Sequence, residues 1–455
     1  MIELFSHYDI LNALEAKAVG YKDGVVDRVI IDSRLAVGGS LFIPLKGEFT
    51  DGNLYIEECL KKGVVSSLVS SFYFDKNREM IEKLAAEYGA TFFIVNDGLE
   101  ALHKLAHHYI EKFPKLKVIS ITGSSGKTTT KEVLGSILKL YKPTLVTDGN
   151  FNSETGLPLT VFRVREENEL AVLEMGMSNP GEIKALVDII NPDISIITNI
   201  GTAHIGSFGS RDGIAREKKD SFANFTGDNI GIIPGWDDYY SYLSSEVNGS
   251  VLTVSDNPDF ISNINDLGFY GWEFKYEDVT VKYPYIGRYN LLNAFMAISC
   301  ARELGVPSRL IAQGLENLPS MFGRGEVLNG KNWVIRDCYN ANPDSMLSSL
   351  KMFESTKWDK EKVVILGSML ELGDSSYLEH NKILNFARDR FKTVILCGKE
   401  FEQVFSELES VVGIHYFKDV NDLKNRVDVL VGSGSLVLLK ASRGIGLEGI
   451  TDNLL

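Results

Sequence analysis

The chain has 455 residues, more than one compact core accommodates, so two or three domains are expected. Hydrophobic residues at 44% and charged residues at 24% give the balance of a soluble globular protein, and no apolar run is long enough for a membrane-spanning helix. A net charge of −14, with no long basic stripe, argues against nucleic acid as the main partner and requires a local cluster of donors for any anionic substrate.

The opening residues lack the basic start, apolar centre and small-residue cleavage site of a secretory signal, so a cytoplasmic location is expected. Cys59, Cys300, Cys338 and Cys397 are scattered, without CxxC or metal-type spacing, and read as reduced structural thiols.

In a first segment, 1–114, the runs 24–32, 40–45, 64–70 and 91–97 predict strands, and LEALHKLAHHYIEKF predicts a closing helix. His103 and His107 stand at i and i+4 on it. Lys104 occupies the place where HExxH has its glutamate, so a solvated helix face is expected rather than a metal pair. In a second segment, 115–318, strand-like and helix-like runs alternate, which predicts right-handed βαβ units and a parallel sheet. A β-rich stretch at about 250–286 and the helix-like NLLNAFMAISCARELG follow. A third segment, 319–455, repeats the alternation and predicts a second doubly wound domain. The fold class is therefore α/β in three domains: a small α/β domain, a central P-loop parallel-sheet domain and a C-terminal Rossmann-like domain.

The sharpest motif is KVISITGSSGKTTTKEVLGSILKL (117–140). An apolar strand enters Gly123-Ser124-Ser125-Gly126-Lys127-Thr128-Thr129, and a helix follows. Two glycines let successive N–H groups turn toward one anion, and the helix N-terminus adds positive potential. Lys127 supplies a mobile charge for terminal phosphates, and Thr128 a hydroxyl able to ligate Mg²⁺. The loop predicts a nucleotide and leaves kinase, hydrolase and ligase chemistry open. Two later strand ends carry polar groups, at Glu174 in LAVLEMGM and at His204 in ISIITNIGTAHIG. A carboxylate and an imidazole at the carboxyl edge of the same sheet suit divalent metal ions. The stretch GSRDGIAREKKDSF (209–222), by composition, reads as a solvated, charge-laced helix.

Taken together, TGSSGKTTT, EMGMSNPGEI, TNIGTAHIGSFGS, GIAREKKDSF, GRYNLLNAFMA and SRG resemble, in order and over nearly the whole chain, the Mur ligases of peptidoglycan synthesis. The resemblance implies ATP, two Mg²⁺ ions, and ligation through an acyl phosphate. Within the family, DSRLAVGGSLFIPLKGEFTDGNLY (32–55) and RDCYNANPDSM (336–346) are similar to the member that adds D-alanyl-D-alanine to a UDP-N-acetylmuramoyl-tripeptide. The DYAHxP and DNPR motifs of the member adding the third amino acid are missing.

The resemblance further implies a carbamylated Lys218 joining Thr128, Glu174 and His204 around the metals, with Lys219 as the alternative register. It assigns Ser33, Arg34, Lys46, Gly47 and Asp51 to the UDP-substrate, and Asn150 and Asn152 to the muramoyl and phosphate region. Asn290 and Asn293 are implied at adenine, beside a Tyr289 that replaces the usual histidine. Arg324, Asp337, Tyr339 and Asn340 are implied to close over the nucleotide, and Lys440, Ser442 and Arg443 to lie near the dipeptide. A monomer is the family expectation. The competing readings are the third-amino-acid Mur ligase, a folylpolyglutamate-type ligase, and a non-catalytic nucleotide-binding protein.

Overall fold

The computed structural model describes residues 3–47 and 49–455; Met1, Ile2 and Glu48, the last within the 32–55 segment, lie outside the described residues. The first segment forms a five-stranded sheet in the order Lys17–Val19, Thr91–Val95, Ser66–Ser70, Ser40–Phe42, Arg28–Ile30, parallel except at its first pair. The run expected as one strand at 24–32 is interrupted at Asp27. Val25–Val26 pairs instead with Phe5–Ser6, and Arg28–Ile30 joins the main sheet.

The central sheet has six parallel strands, in the order Ser250–Val254, Ile230–Pro234, Ile194–Ile197, Lys117–Thr122, Leu170–Glu174, Thr144–Val146. Its inner strands are covered on both faces, which is why they read as continuous apolar runs. One face packs under the helices Lys127–Leu138 and Arg288–Glu303, through Val133, Leu134, Ile137, Phe295 and Ile298. On the other, Leu173, Met175, Ile183 and Leu186 share a core with Leu102, Leu105 and Tyr109 of the first segment's closing helix, Gly98–Ile110. That shared core corrects the expectation for the histidine pair. His103 Nε2 contacts the Glu154 carbonyl at 2.7 Å and His107 Nδ1 the Ile189 carbonyl at 3.1 Å. The two rings are half-buried docking groups, each on a separate carbonyl of the central segment.

Ile261–Asp266, Trp272–Tyr276 and Val279–Tyr283 form an antiparallel meander beside this sheet. The last segment has a six-stranded sheet in the order Glu326–Asn329, Trp333–Asp337, Leu436–Lys440, Lys362–Gly367, Thr393–Cys397, Ile414–Phe417, antiparallel only at its first pair. In the central sheet the chain leaves Lys117–Thr122 toward one side and returns on the other. The carboxyl ends of Lys117–Thr122, Leu170–Glu174 and Ile194–Ile197 therefore open a crevice at the switch point. Among the described residues no helix is long and apolar enough to cross a membrane.

Candidate active site

The phosphate loop is laced to the segment after the neighbouring strand. Ser125 N–H donates to Asn199 Oδ1 at 2.9 Å, Gly201 N–H to Ser124 Oγ at 2.8 Å, and the Thr198 hydroxyl to the Ser125 carbonyl at 2.5 Å. This closeness requires glycine at 123, where φ is +153° and a Cβ would stand 1.8 Å from Thr198 Oγ1. Gly126, at φ +80°, lies under the Asn293 amide. Lys127 Nζ folds back onto the Gly123 carbonyl at 2.8 Å, and burial pushes its pKa down.

Glu174 ends its strand inside the protein, 1% exposed. Its Oε1 accepts from Asn152 Nδ2 at 2.6 Å and from the Thr128 hydroxyl at 3.2 Å, while Oε2 is buried without a hydrogen-bond partner. The ammonium of the fully buried Lys131 lies 3.8 Å from Oε2 and donates to the carbonyls of Thr147, at 2.8 Å, and Gly149, at 3.2 Å. A buried carboxylate oxygen with a free lone pair, beside a threonine hydroxyl at a phosphate loop, is a donor set that fits Mg²⁺.

The helix Arg211–Lys219 corrects the solvated reading. Its Glu217 is buried and accepts from the N–H groups of Gly181 and Ile183, both at 2.8 Å, at the start of the helix Glu182–Ile190. Lys218 is 1% exposed, its Nζ 3.5 Å from Met177 Sδ, and Met177 lines the crevice. Burial, and then the charge of Lys127, hold the Lys218 amine well below the usual lysine range. Lys219 turns instead to the surface, donating to the Tyr242 carbonyl at 2.9 Å.

The last segment forms the far wall. Arg324 Nη2 donates to the Thr128 hydroxyl at 2.9 Å, and its guanidinium lies 4.0 Å from the centre of the Tyr339 ring. Asp337 and Lys440 are register partners on adjacent strands, joined by a buried ion pair of 2.9 Å, and the Ser349 hydroxyl donates to the same carboxylate at 2.5 Å. Asn290 spends its amide on the Ile286 carbonyl, at 2.9 Å, and Tyr289 has a buried hydroxyl without a hydrogen-bond partner. Burial pushes that phenol up, with the charge of Asp337 adding to it.

These walls enclose a cavity of about 450 Å³ lined by the loop 124–129, Asn152, Glu174, His204, Tyr289, Asn290, Asn293, Arg324, Asp337, Tyr339, Asn340 and Lys440. A second cavity, of about 260 Å³, adjoins it and shares His204, Tyr339, Asn340 and Asn342; Asn150, Leu370, Glu371, Ser442 and Arg443 also line it. His204, at φ +61°, pairs through Nδ1 with Glu371 Oε2 at 2.7 Å, and that hydrogen bond lowers the Glu371 pKa.

The first-segment candidates line neither cavity. Ser33 opens a short turn. Arg34 is exposed and forked onto Asp32, with Nη2 to Oδ2 at 2.6 Å. Lys46 and Asp51 bridge a turn in which Gly47 N–H meets the Thr50 carbonyl at 2.9 Å, and Asp51 caps Asn53. Lys131, Asp344 and Glu371 join the site without a role expected for them from the sequence. Asp344 accepts from the N–H and hydroxyl of Thr202 at 2.6 and 2.7 Å, a contact between distant segments. Lys131, four residues after Lys127 and so on the same helix face, carried the one readable signal.

The Mur ligase middle domain profile matches residues 121–301, and the profile described as Mur ligase, glutamate ligase domain matches 323–443. The UDP-N-acetylmuramoyl-tripeptide–D-alanyl-D-alanine ligase of Treponema pallidum is 36% identical over 428 residues, covering 93% of this chain and 92% of its own. A crystal structure of MurF from Acinetobacter baumannii superposes with a TM-score of 0.87 at 28% identity, over 100% of this chain and 99% of that one. MurF from Thermotoga maritima in complex with ADP gives 0.78 at 27% identity, over 93% and 96%.

Proposed function

The chain belongs to the Mur ligase family, and from that premise we propose the reaction and the roles of its residues. It is an ATP-dependent ligase that joins D-alanyl-D-alanine to UDP-N-acetylmuramoyl-tripeptide, giving the pentapeptide precursor of peptidoglycan, ADP and phosphate. The observation that carries this reading is the pair of adjoining cavities, one built on a phosphate loop and both lined by His204 and Tyr339. A nucleotide in the first directs its terminal phosphate toward an amine in the second.

Residues 1–114 form the UDP-muramoyl domain, 115–318 the ATP domain, and 319–455 the C-terminal domain. Ser33, Arg34, Lys46, Gly47 and Asp51 serve the UDP moiety, Asn150 and Asn152 the muramoyl-peptide, and Arg443 the dipeptide carboxylate. Gly123 to Thr129 cradle the phosphates; Asn290, Asn293, Arg324, Asp337, Tyr339 and Asn340 enclose the nucleotide. Thr128, Glu174, His204 and a carbamylated Lys218 would hold two Mg²⁺ ions, which when bound neutralise phosphate charge.

Amide formation in water is uphill because the separate carboxylate and ammonium ions are well solvated, and it is slow because a carboxylate is a poor electrophile. The tripeptide carboxylate attacks the γ-phosphorus, ADP leaves, and the acyl phosphate so formed is attacked by the dipeptide amine. Phosphate then leaves from the tetrahedral adduct. Phosphoryl transfer rests on positioning and charge neutralisation. Lys127 turns from the Gly123 carbonyl to the transferring phosphoryl group, and the two enclosing walls exclude water. The protein acts as a cytoplasmic monomer. Incubation with the three substrates, followed by mass analysis of the UDP-linked product, tests the reading.

A further inference from the structure

Two consecutive amides of the loop between Gly367 and Ser376 are held by side chains of two different segments. Leu370 N–H donates to Ser442 Oγ at 3.0 Å, and the Ser442 hydroxyl passes on to the Ala341 carbonyl at 3.2 Å. Met369 N–H donates to Nε2 of His380 at 2.9 Å. The other ring nitrogen of His380 lies 2.7 Å from the Ser376 carbonyl. An N–H must meet an unprotonated nitrogen and a carbonyl must meet a donor, so these partners select the neutral ring with its proton on Nδ1. The ring is 0% exposed, with Phe401 edge-on at 4.6 Å.

Leu370 and the next residue, Glu371, line the smaller cavity. Glu371 has φ +65°, a strained backbone for a residue with a side chain, and it reaches His204 across the domain boundary. The same loop touches the central segment at Gly373, where a Cβ on Gly206 would come within 3.0 Å of its N atom.

We propose that His380 is a positioning residue for the amine-substrate cavity: its neutral imidazole, held by the Ser376 carbonyl at the start of its own helix Ser376–Arg388, ties the Met369 N–H to that helix and so aims Leu370 and Glu371 at the bound dipeptide. The inference rests on the reading of that cavity as the D-alanyl-D-alanine site. Burial lowers the His380 pKa; the Ser376 carbonyl, then Glu400 on the neighbouring turn and Glu379 on its own helix, oppose this less strongly. A depressed histidine pKa means that the clamp is intact above the ordinary value and weakens as pH falls through the folded one. Protonated, Nε2 would present a second donor to Met369 N–H.

The test compares wild type with His380→Phe, which keeps ring volume and loses both bonds, and His380→Gln, whose amide oxygen still accepts. His380→Phe should raise KM for D-alanyl-D-alanine about tenfold with KM for ATP within about twofold, the cost of leaving the buried Met369 N–H without its partner. His380→Gln should recover most of the loss, and the wild-type KM for the dipeptide alone should climb as the pH falls below the ordinary histidine range. Amide hydrogen exchange at residues 369–371 should accelerate in His380→Phe. Unchanged dipeptide KM and unchanged exchange in a folded His380→Phe would overturn the clamp, as would equal loss for ATP and dipeptide. Wild type that does not ligate D-alanyl-D-alanine would instead refute the reading of the cavity, while the exchange measurement still reports on the clamp.

Discussion

Arg324 Nη2 donates to the hydroxyl of Thr128 at 2.9 Å, joining residues 196 positions apart at the point where the last segment meets the phosphate loop. Thr128 also donates to Glu174, so one hydroxyl links the arginine wall to the buried carboxylate. Replacing Arg324 by alanine removes a charged hydrogen bond and the guanidinium over Tyr339. Such bonds contribute about 1.5–3 kcal/mol, so kcat/KM for ATP should fall roughly ten- to hundredfold in steady-state kinetics. Arg324→Lys should recover little, because an ammonium lacks the planar fork that both contacts use.

Gly123→Ala should abolish nucleotide binding, because its Cβ would overlap the Thr198 hydroxyl that holds Ser125. Gly126→Ala meets the end of the Asn293 side chain and should be milder. Thermal shift with ADP reads both. Gly123→Ala should show no ligand-induced stabilisation and Gly126→Ala a reduced one; equal stabilisation in wild type and Gly123→Ala would refute the steric argument.

The phosphate loop was legible in the sequence because its chemistry is local: strand, two glycines, Lys127, Thr128 and helix are contiguous. Glu174 was legible as a strand end. Lys218 was not legible by composition. GIAREKKDSF is dominated by its exposed charges, and only the i, i+4 placement of Ile214 and Lys218 on one helix face marks the buried side. Thr202–Asp344 and His204–Glu371 join separate domains, and no periodicity within a segment encodes such a meeting. The docking of His103 and His107 was hidden for the same reason. In 24–32, the apolar pattern carried strand character but not the break at Asp27.

Lys218 should be indispensable in a way that a surface lysine is not. Burial, and then the charge of Lys127, shift its amine toward the neutral form, the one that reacts with carbon dioxide to give a carbamate. Lys218→Ala should lose all measurable ligation and regain part of it with a small added carboxylic acid, whereas Lys219→Ala should stay near wild type. Full activity in Lys218→Ala would remove the carbamate from the account.

The four thiols should be inert in the native protein. Burial pushes Cys59 to about 11 and Cys338 and Cys397 to about 12, and raises Cys300 as well. Raised thiol pKa values leave almost no thiolate at pH 7–8. Iodoacetamide should therefore modify none of them until urea unfolds the chain, when all four should react; mass spectrometry counts the adducts.

The identity of the amine decides which reaction this site performs. Purified protein is incubated with ATP, Mg²⁺, UDP-N-acetylmuramoyl-tripeptide and D-alanyl-D-alanine, and the UDP-linked product is weighed by mass spectrometry. The expected product is the pentapeptide, with ADP and phosphate released in equal amounts. No product with D-alanyl-D-alanine, but product from the UDP-linked dipeptide and a diamino acid, would contradict it.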